Sequence, residues 1–240
     1  SVERGDNVIV LDALTYAGHK VNFAEVADKI TFIEGDICDK ALADKLFAEH
    51  KPEGFIHFAA ESHVDNSIES PTAFMETNIM GTFNLLEAAR RYYNGLDEAA
   101  QKAFRFVHVS TDEVFGELGD EGYFSEETPY APSSPYSSSK AASDLLANAW
   151  WHTYKLPVLV THCSNNYGPR QLPEKLIPVI ITKALAEQPL PVYGDGKNVR
   201  DWIYVDDHAK GVMLTLQKGK LGDHYCFGGR AEMQNIELVK

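Results

Sequence analysis

"RFVHVSTDEVFG", residues 105–116, opens as a strand, with Phe106, Val107 and Val109, and ends in Ser110, Thr111 and two adjacent acids, Asp112 and Glu113. Similar apolar runs recur outward from it: "NVIVLD" (7–12), "ITFIEGD" (30–36), "GFIHFAA" (54–60) and "PVLVTHC" (157–163). Several are apolar throughout, the pattern of strands covered on both faces of a parallel sheet. Between them, residues 40–50, 71–93 and 134–154 carry apolar faces at the helical period. Pro71 and Pro135 stand where a first-turn proline is tolerated. Strand–helix alternation predicts an α/β fold, a doubly wound parallel sheet. Ligands bind such sheets beyond the carboxyl ends of the strands. Asp12, Asp36, Ala59, Ala60, Ser110 to Glu113, Asn165 and Asn166 all stand at those ends.

The length of 240 residues allows one large domain or one domain and part of another. A net charge of −13 argues against nucleic acid, whose phosphates need a basic footprint. A few local Lys and Arg residues can still hold a small diphosphate. The three cysteines, Cys38, Cys163 and Cys226, are scattered and form no CxxC pair, which suits a reduced, cytoplasmic protein. No apolar run approaches the ~18 residues of a membrane span. "SVERGDNVIVLD" reads like the middle of a domain, so a first strand and its glycine loop are expected ahead of Ser1. Beyond about residue 164, proline, glycine and aromatic residues become frequent. The expected organisation is a dinucleotide-binding domain over 1–164. A smaller substrate-binding region over 165–240, interleaved with it and incomplete at its end, follows.

Asp12 follows the first strand, where an acid can bind adenosine ribose hydroxyls and select NAD over NADP. A strand-end turn acid would look the same, and Asp36 shares both readings. "YSSSK", Tyr136 to Lys140, puts a phenol and an ammonium at i and i+4 on one helix face, about 5–6 Å apart at Cβ. The ammonium favours the phenolate and so suits the tyrosine to act as a base. A chance pair on a solvated face is the bland alternative. Two neighbouring carboxylates tend to titrate apart, so one can hold a proton while the other stays ionised. Asp112 and Glu113 therefore suit an elimination, or else cap the following turn.

The chain resembles the extended short-chain dehydrogenase/reductase family, in its NAD-dependent sugar-nucleotide branch. The resemblance is carried by "DALTYAG" (12–18), "GDICD" (35–39), "HFAAESHVDNS" (57–67), "ETNIMGTFNLLEAAR" (76–90), "STDEVFG" (110–116) and "SSPYSSSKAASD" (133–144). It continues in "CSNNYGPRQLPEKLIP" (163–178), "LPVYGDGKNVRDWIYVDDHA" (190–209) and "GGR" (228–230). It implies a 4,6-dehydration of a nucleotide-linked hexose, dTDP-glucose, with a bound NAD that ends as it began. Tyr136, assisted by Lys140, would take the proton of the 4-hydroxyl, which Thr111 holds. Glu113 would remove the C5 proton, and Asp112 would protonate the departing C6 hydroxyl.

The resemblance also implies binding residues. Asp12, Ala13, Leu14 and Thr15 would line the adenosine ribose, with Ala13 departing from a lysine common at that place. Asp36 and Ile37 would face adenine. Phe58, Ala59, Ala60, Glu61 and Ser62 would approach the cofactor, with Ser62 near the substrate, and Thr77 and Asn166 would complete that pocket. Asn165, Lys175, Leu176, Pro191, Val192, Tyr193 and Arg200 would hold the nucleotide diphosphate and base. The helices at 71–93 and 134–154 resemble the pair through which the family forms homodimers.

A sugar-nucleotide 4-epimerase is the alternative enzyme, though epimerisation needs no base at C5 and no acid at C6. A non-catalytic dinucleotide-binding module is the alternative outside catalysis. His57, His63, His108 and His162 show no metal-ligand spacing and read as structural, and Trp150 and Trp151 read as helix packing.

Overall fold

A computed structural model describes residues 1–118, 122–192 and 194–240. Its strands are β1 (Val8–Asp12), β2 (Ile30–Glu34), β3 (Gly54–His57), β4 (Arg105–Thr111) and β5 (Val158–Cys163). The later ones are β6 (Asn165–Tyr167), β7 (Val199–Arg200), β8 (Trp202–Tyr204), β9 (His224–Phe227) and β10 (Met233–Gln234). The helices are α1 (Lys40–His50), α2 (Val64–Glu69), α3 (Pro71–Phe74), α4 (Thr82–Asn94) and α5 (Glu98–Ala103). α6 (Pro135–Tyr154), α7 (Leu176–Leu185), α8 (Val205–Lys218) and α9 (Asn235–Val239) follow. The architecture is the expected α/β one, mostly parallel strands with flanking helices.

Two compact units divide the chain: Ser1–His162 with Val212–Cys226, and Cys163–Gly211 with Phe227–Lys240. In the first unit β1 and β2 form a parallel pair in the register Val8↔Ile30 to Asp12↔Glu34. β3 and β4 form another, from Gly54↔Arg105 to His57↔His108, in a sheet of order β3-β4-β5-β9. These are two separate sheets among the described residues.

The core lies where β4 and β5 meet α1, α4 and α6, around Phe47, Leu85, Leu86, Phe104, Phe106, Ala147, Leu156 and Val158. β4 is buried from Phe106 to Thr111 because it is covered on both faces, which explains its unbroken apolar run. Trp150 meets Phe83 edge-on at 5.8 Å and donates its indole N–H to Glu87 at 3.1 Å, so it packs helix against helix.

Two helices show how local sequence sets their ends. α6 opens with Pro135 in its first turn and a capping box in which Ser134 and Ser137 bond each other's backbone N–H. The segment expected as one helix over 71–93 is helical throughout but widens to a π-helical stretch over Met75–Gly81. Its buried positions explain the widening. Phe74, Asn78, Thr82 and Leu86 recur every four residues, slower than the 3.6 of an α-helix. Under-winding keeps all four turned inward.

In the second unit β6 pairs in parallel with β8, and β7 pairs antiparallel with β10. Asp201 accepts from the backbone N–H groups of Gly229 and Ala231, both at 2.7 Å, tying the returning chain to this small unit.

Candidate active site

The two acids stand in a short 3-10 turn, Asp112–Phe115, that leaves the end of β4. Thr111 starts the turn, its hydroxyl accepting from Glu113 N–H at 3.3 Å. The buried Val114 and Phe115 pull the turn down, so that Asp112 and Glu113 stop half-buried rather than in open solvent. Phe115 stacks among Phe124, Tyr130 and His162, with ring centres 5.3, 5.6 and 4.8 Å away. Gly116 ends the turn at φ 82, and a Cβ there would meet the Ala131 carbonyl oxygen. The strand thus ends in carboxylates because its neighbours on either side anchor them at the edge of the core.

The same turn packs on α6. Val114 and Phe115 form one apolar cluster with Ala141, the residue after Lys140. Tyr136 is buried in the first turn of α6 with its ring edge-on to Phe74 at 6.3 Å. Lys140 is buried one turn later, and its ammonium donates to the Val109 carbonyl oxygen at 2.9 Å. α6 and the acid turn therefore meet at the carboxyl end of β4, with Lys140 bonded to that strand. Cys226 is close enough to register Asp112: burial, Glu126 and then Asp112 push its thiol up to about 12.

Asn78 was not singled out in the sequence. It is buried in the π-helical stretch and accepts from Glu61 N–H at 2.8 Å through Oδ1. Its Nδ2 donates to the Glu61 carbonyl at 3.0 Å and to Ser139 Oγ at 2.8 Å. Ser139 in turn donates to the Tyr136 carbonyl at 2.7 Å. One amide thus links the segment after β3 to the tyrosine's own turn. The available signal was an asparagine on the buried face of a helix, where an amide needs several partners.

Most residues expected at the cofactor follow strand ends of the same unit, while Thr77 lies in the π-helical stretch. Asp12 is exposed and accepts from Leu14 N–H at 2.7 Å through Oδ1, with Leu14 held at φ 49. Its Oδ2 meets no donor among the described residues, which fits a ribose diol. Ala13 and Thr15 are exposed beside it. Asp36 is exposed and accepts from Cys38 N–H at 2.8 Å. The Ile37 side chain is buried in the core against the site of Gly81, so any ligand contact there falls to its backbone. Phe58, Ala59 and Ser62 are exposed, Ala60, Glu61 and Thr77 half-buried, and burial raises the Glu61 carboxyl.

Residues expected at the nucleotide belong to the second unit. Lys175 caps α7 and Leu176 is its first residue, so a cation adjoins a helix N-terminus. Arg200 is exposed on β7, with one guanidinium N–H on the Val199 carbonyl at 2.9 Å. Pro191 is half-buried and Val192 exposed, while Tyr193 lies outside the described residues. Asn165 begins β6. The amide of Asn166 turns inward: it bonds His208 Nδ1 at 2.8 Å, Cys163 Sγ at 3.3 Å and the Ser164 carbonyl at 3.1 Å. These bonds hold the segment around β6.

The chain is similar to known proteins over nearly its whole length. A family model described as GDP-mannose 4,6 dehydratase matches residues 2–239. The dTDP-glucose 4,6-dehydratase of Xanthomonas campestris pv. campestris is 58% identical over all of this chain and 69% of its own length. The solved dTDP-glucose 4,6-dehydratase of Bacillus anthracis, in complex with NAD, is 46% identical with a TM-score of 0.87, over 97% of this chain and 70% of that one. The UDP-glucose 4-epimerase of Thermotoga maritima is more distant, 28% identical at a TM-score of 0.88, over 99% and 74%. The chain belongs to the GDP-mannose 4,6 dehydratase family.

Proposed function

We propose that this chain is an NAD-dependent lyase that converts dTDP-glucose to dTDP-4-keto-6-deoxyglucose and water. The observation that carries the reading is the packing of the turn that holds Asp112 and Glu113 on α6 at Ala141, next to Lys140, which itself bonds the strand leading into that turn. An epimerase has no use for that turn, and the chain's identity to dehydratases far exceeds its identity to the epimerase.

Tyr136 takes the proton of the 4-hydroxyl, and the buried Lys140 favours the phenolate form. Thr111 holds the 4-oxygen. The ketone at C4 acidifies the C5 proton, which Glu113 removes, while Asp112 protonates the C6 hydroxyl as it leaves as water. NAD, when bound, supplies the acceptor for the hydride of C4 and its return to C6. Asp12, Ala13, Leu14, Thr15, Asp36 and the Ile37 backbone hold its adenosine end, and Phe58 to Ser62 with Thr77 approach the rest. Lys175 and Arg200 supply positive charge for the diphosphate, with Asn165, Leu176, Pro191, Val192 and Tyr193 around the nucleotide. Residues 1–164 serve the cofactor, and 165–240 mostly the substrate.

The protein works as a homodimer in the cytoplasm. The exposed Ile68, Met80 and Leu145, on or beside the helices of 71–94 and 135–154, support the first point, and three free cysteines the second. Among the described residues no helix is long and apolar enough to cross a membrane. The test is to incubate the full-length protein with dTDP-glucose and read the ultraviolet absorbance that a 4-keto-6-deoxy sugar develops in alkali. Its appearance supports the reading; dTDP-galactose in its place would make the protein an epimerase.

A further inference from the structure

α6 carries a buried acid on the side of Tyr136 and Lys140. Asp144 stands one turn beyond Lys140, and its side chain is fully buried. A carboxylate taken out of water is costly unless donors surround it. His108 Nε2 lies 3.0 Å from Oδ1, and His162 Nε2 lies 3.2 Å from Oδ2. Ser110 Oγ donates to Oδ2 at 2.8 Å. Burial opposes ionisation, but the bonds from His108 and His162 outweigh it and hold the carboxyl far below the usual range.

The cluster is an expensive way to fill space. Each imidazole places its proton on Nε2 to bond the carboxylate, and Nδ1 of each is buried with no hydrogen-bond partner among the described residues. Apolar side chains of similar volume would pack there at less cost. What the cluster supplies is register. His108 and Ser110 are alternate residues of β4 and share one face of it, and Asp144 takes both. Lys140 takes the carbonyl of Val109, between them. Three successive residues of β4 are thereby bonded to α6 immediately before Thr111, Asp112 and Glu113.

We propose that Asp144 is a positioning residue of the reaction, setting the end of β4, and with it Asp112 and Glu113, against Tyr136 and Lys140 through its bond to Ser110. This rests on the dehydratase reading above. Oxidation at C4 uses the tyrosine–lysine pair, Thr111 and the cofactor but neither acid, whereas elimination needs the acids and that pair in register on one hexose. A displacement of about 1 Å can cost on the order of 100-fold in rate.

The test is Ser110→Ala in the full-length, NAD-loaded enzyme, which removes the hydroxyl bonded to Asp144 and leaves Asp144 both imidazole donors. The expected result is a kcat lower by about 10- to 100-fold with KM within about twofold. Absorbance of reduced nicotinamide should build up during turnover, and C5-deuterated substrate should show a larger isotope effect than in the wild type. Ser110→Thr, which keeps the hydroxyl, should restore both. Asp144→Asn should give the same two signatures in whatever fraction folds. Unchanged kcat, or a lower kcat with neither signature, overturns the proposal. A wild-type enzyme that forms no 4-keto-6-deoxy sugar overturns the dehydratase reading itself, and does so before any substitution is made.

Discussion

The Lys140 ammonium lies 2.9 Å from the carbonyl oxygen of Val109, with both residues buried. The lysine therefore does not sample solvent. It is fixed to the strand that ends in the acid pair, one helical turn from Tyr136.

Lys140→Met keeps an unbranched apolar stem and removes the charge. The phenol loses the cation that favours its ionised form, so kcat at neutral pH should fall by roughly 10²–10⁴-fold, the usual worth of a positioned acid–base group. Steady-state turnover of dTDP-glucose, with circular dichroism as a control for folding, measures this. Activity within about threefold of wild type would remove Lys140 from the mechanism.

Ser134→Ala breaks the capping box that starts α6. The expected cost is about 1 kcal/mol of stability, read as a lower urea midpoint at unchanged slope. Ser134→Asp keeps a capping acceptor and should recover most of it. An unchanged midpoint in Ser134→Ala would mean that packing alone fixes the first turn.

Acid should destabilise the fold from near-neutral pH downward. Burial, and then the charge of Lys140, lower His108 to about 4, against about 6.5 in an unfolded chain. Between these values the unfolded state binds more protons, so stability rises with pH and is lost as pH falls from about 6.5 to 4. His57 is shifted the same way by burial and by the charges of His108 and Lys140. Asp144, held ionised, adds a loss at still lower pH, below about 3.9. Denaturant midpoints between pH 8 and pH 4 test this; a flat profile down to pH 4.5 would contradict it.

Much of this was legible in the sequence because it rests on local periodicity. Buried strands declare themselves as unbroken apolar runs, so β4 was readable to its last residue. The Tyr136–Lys140 pair follows from helical spacing, and the alternation of runs gives the α/β layout. What was not legible depends on partners far apart in the chain. Asn78 joins Glu61 to Ser139, and Asp144 joins β4 to β5. His108 and His162 read as structural and are buried, but nothing in their spacing points to a shared carboxylate 36 and 18 residues away. The π-helical stretch was hidden for a similar reason. Its cause is a four-residue burial period that an apolar pattern near 3.6 resembles over one or two turns. Ile37 shows the reverse: a residue expected at a ligand has its side chain in the core.

The central claim is the division of labour between the tyrosine–lysine pair and the acid pair, and single-turnover kinetics of Glu113→Gln tests it most directly. Mixed with dTDP-glucose, the NAD-loaded variant should form reduced nicotinamide at near the wild-type rate and hold it, releasing no 4-keto-6-deoxy sugar, while Tyr136→Phe should form almost none. Full turnover by Glu113→Gln, or rapid reduction of the cofactor in Tyr136→Phe, would contradict the account.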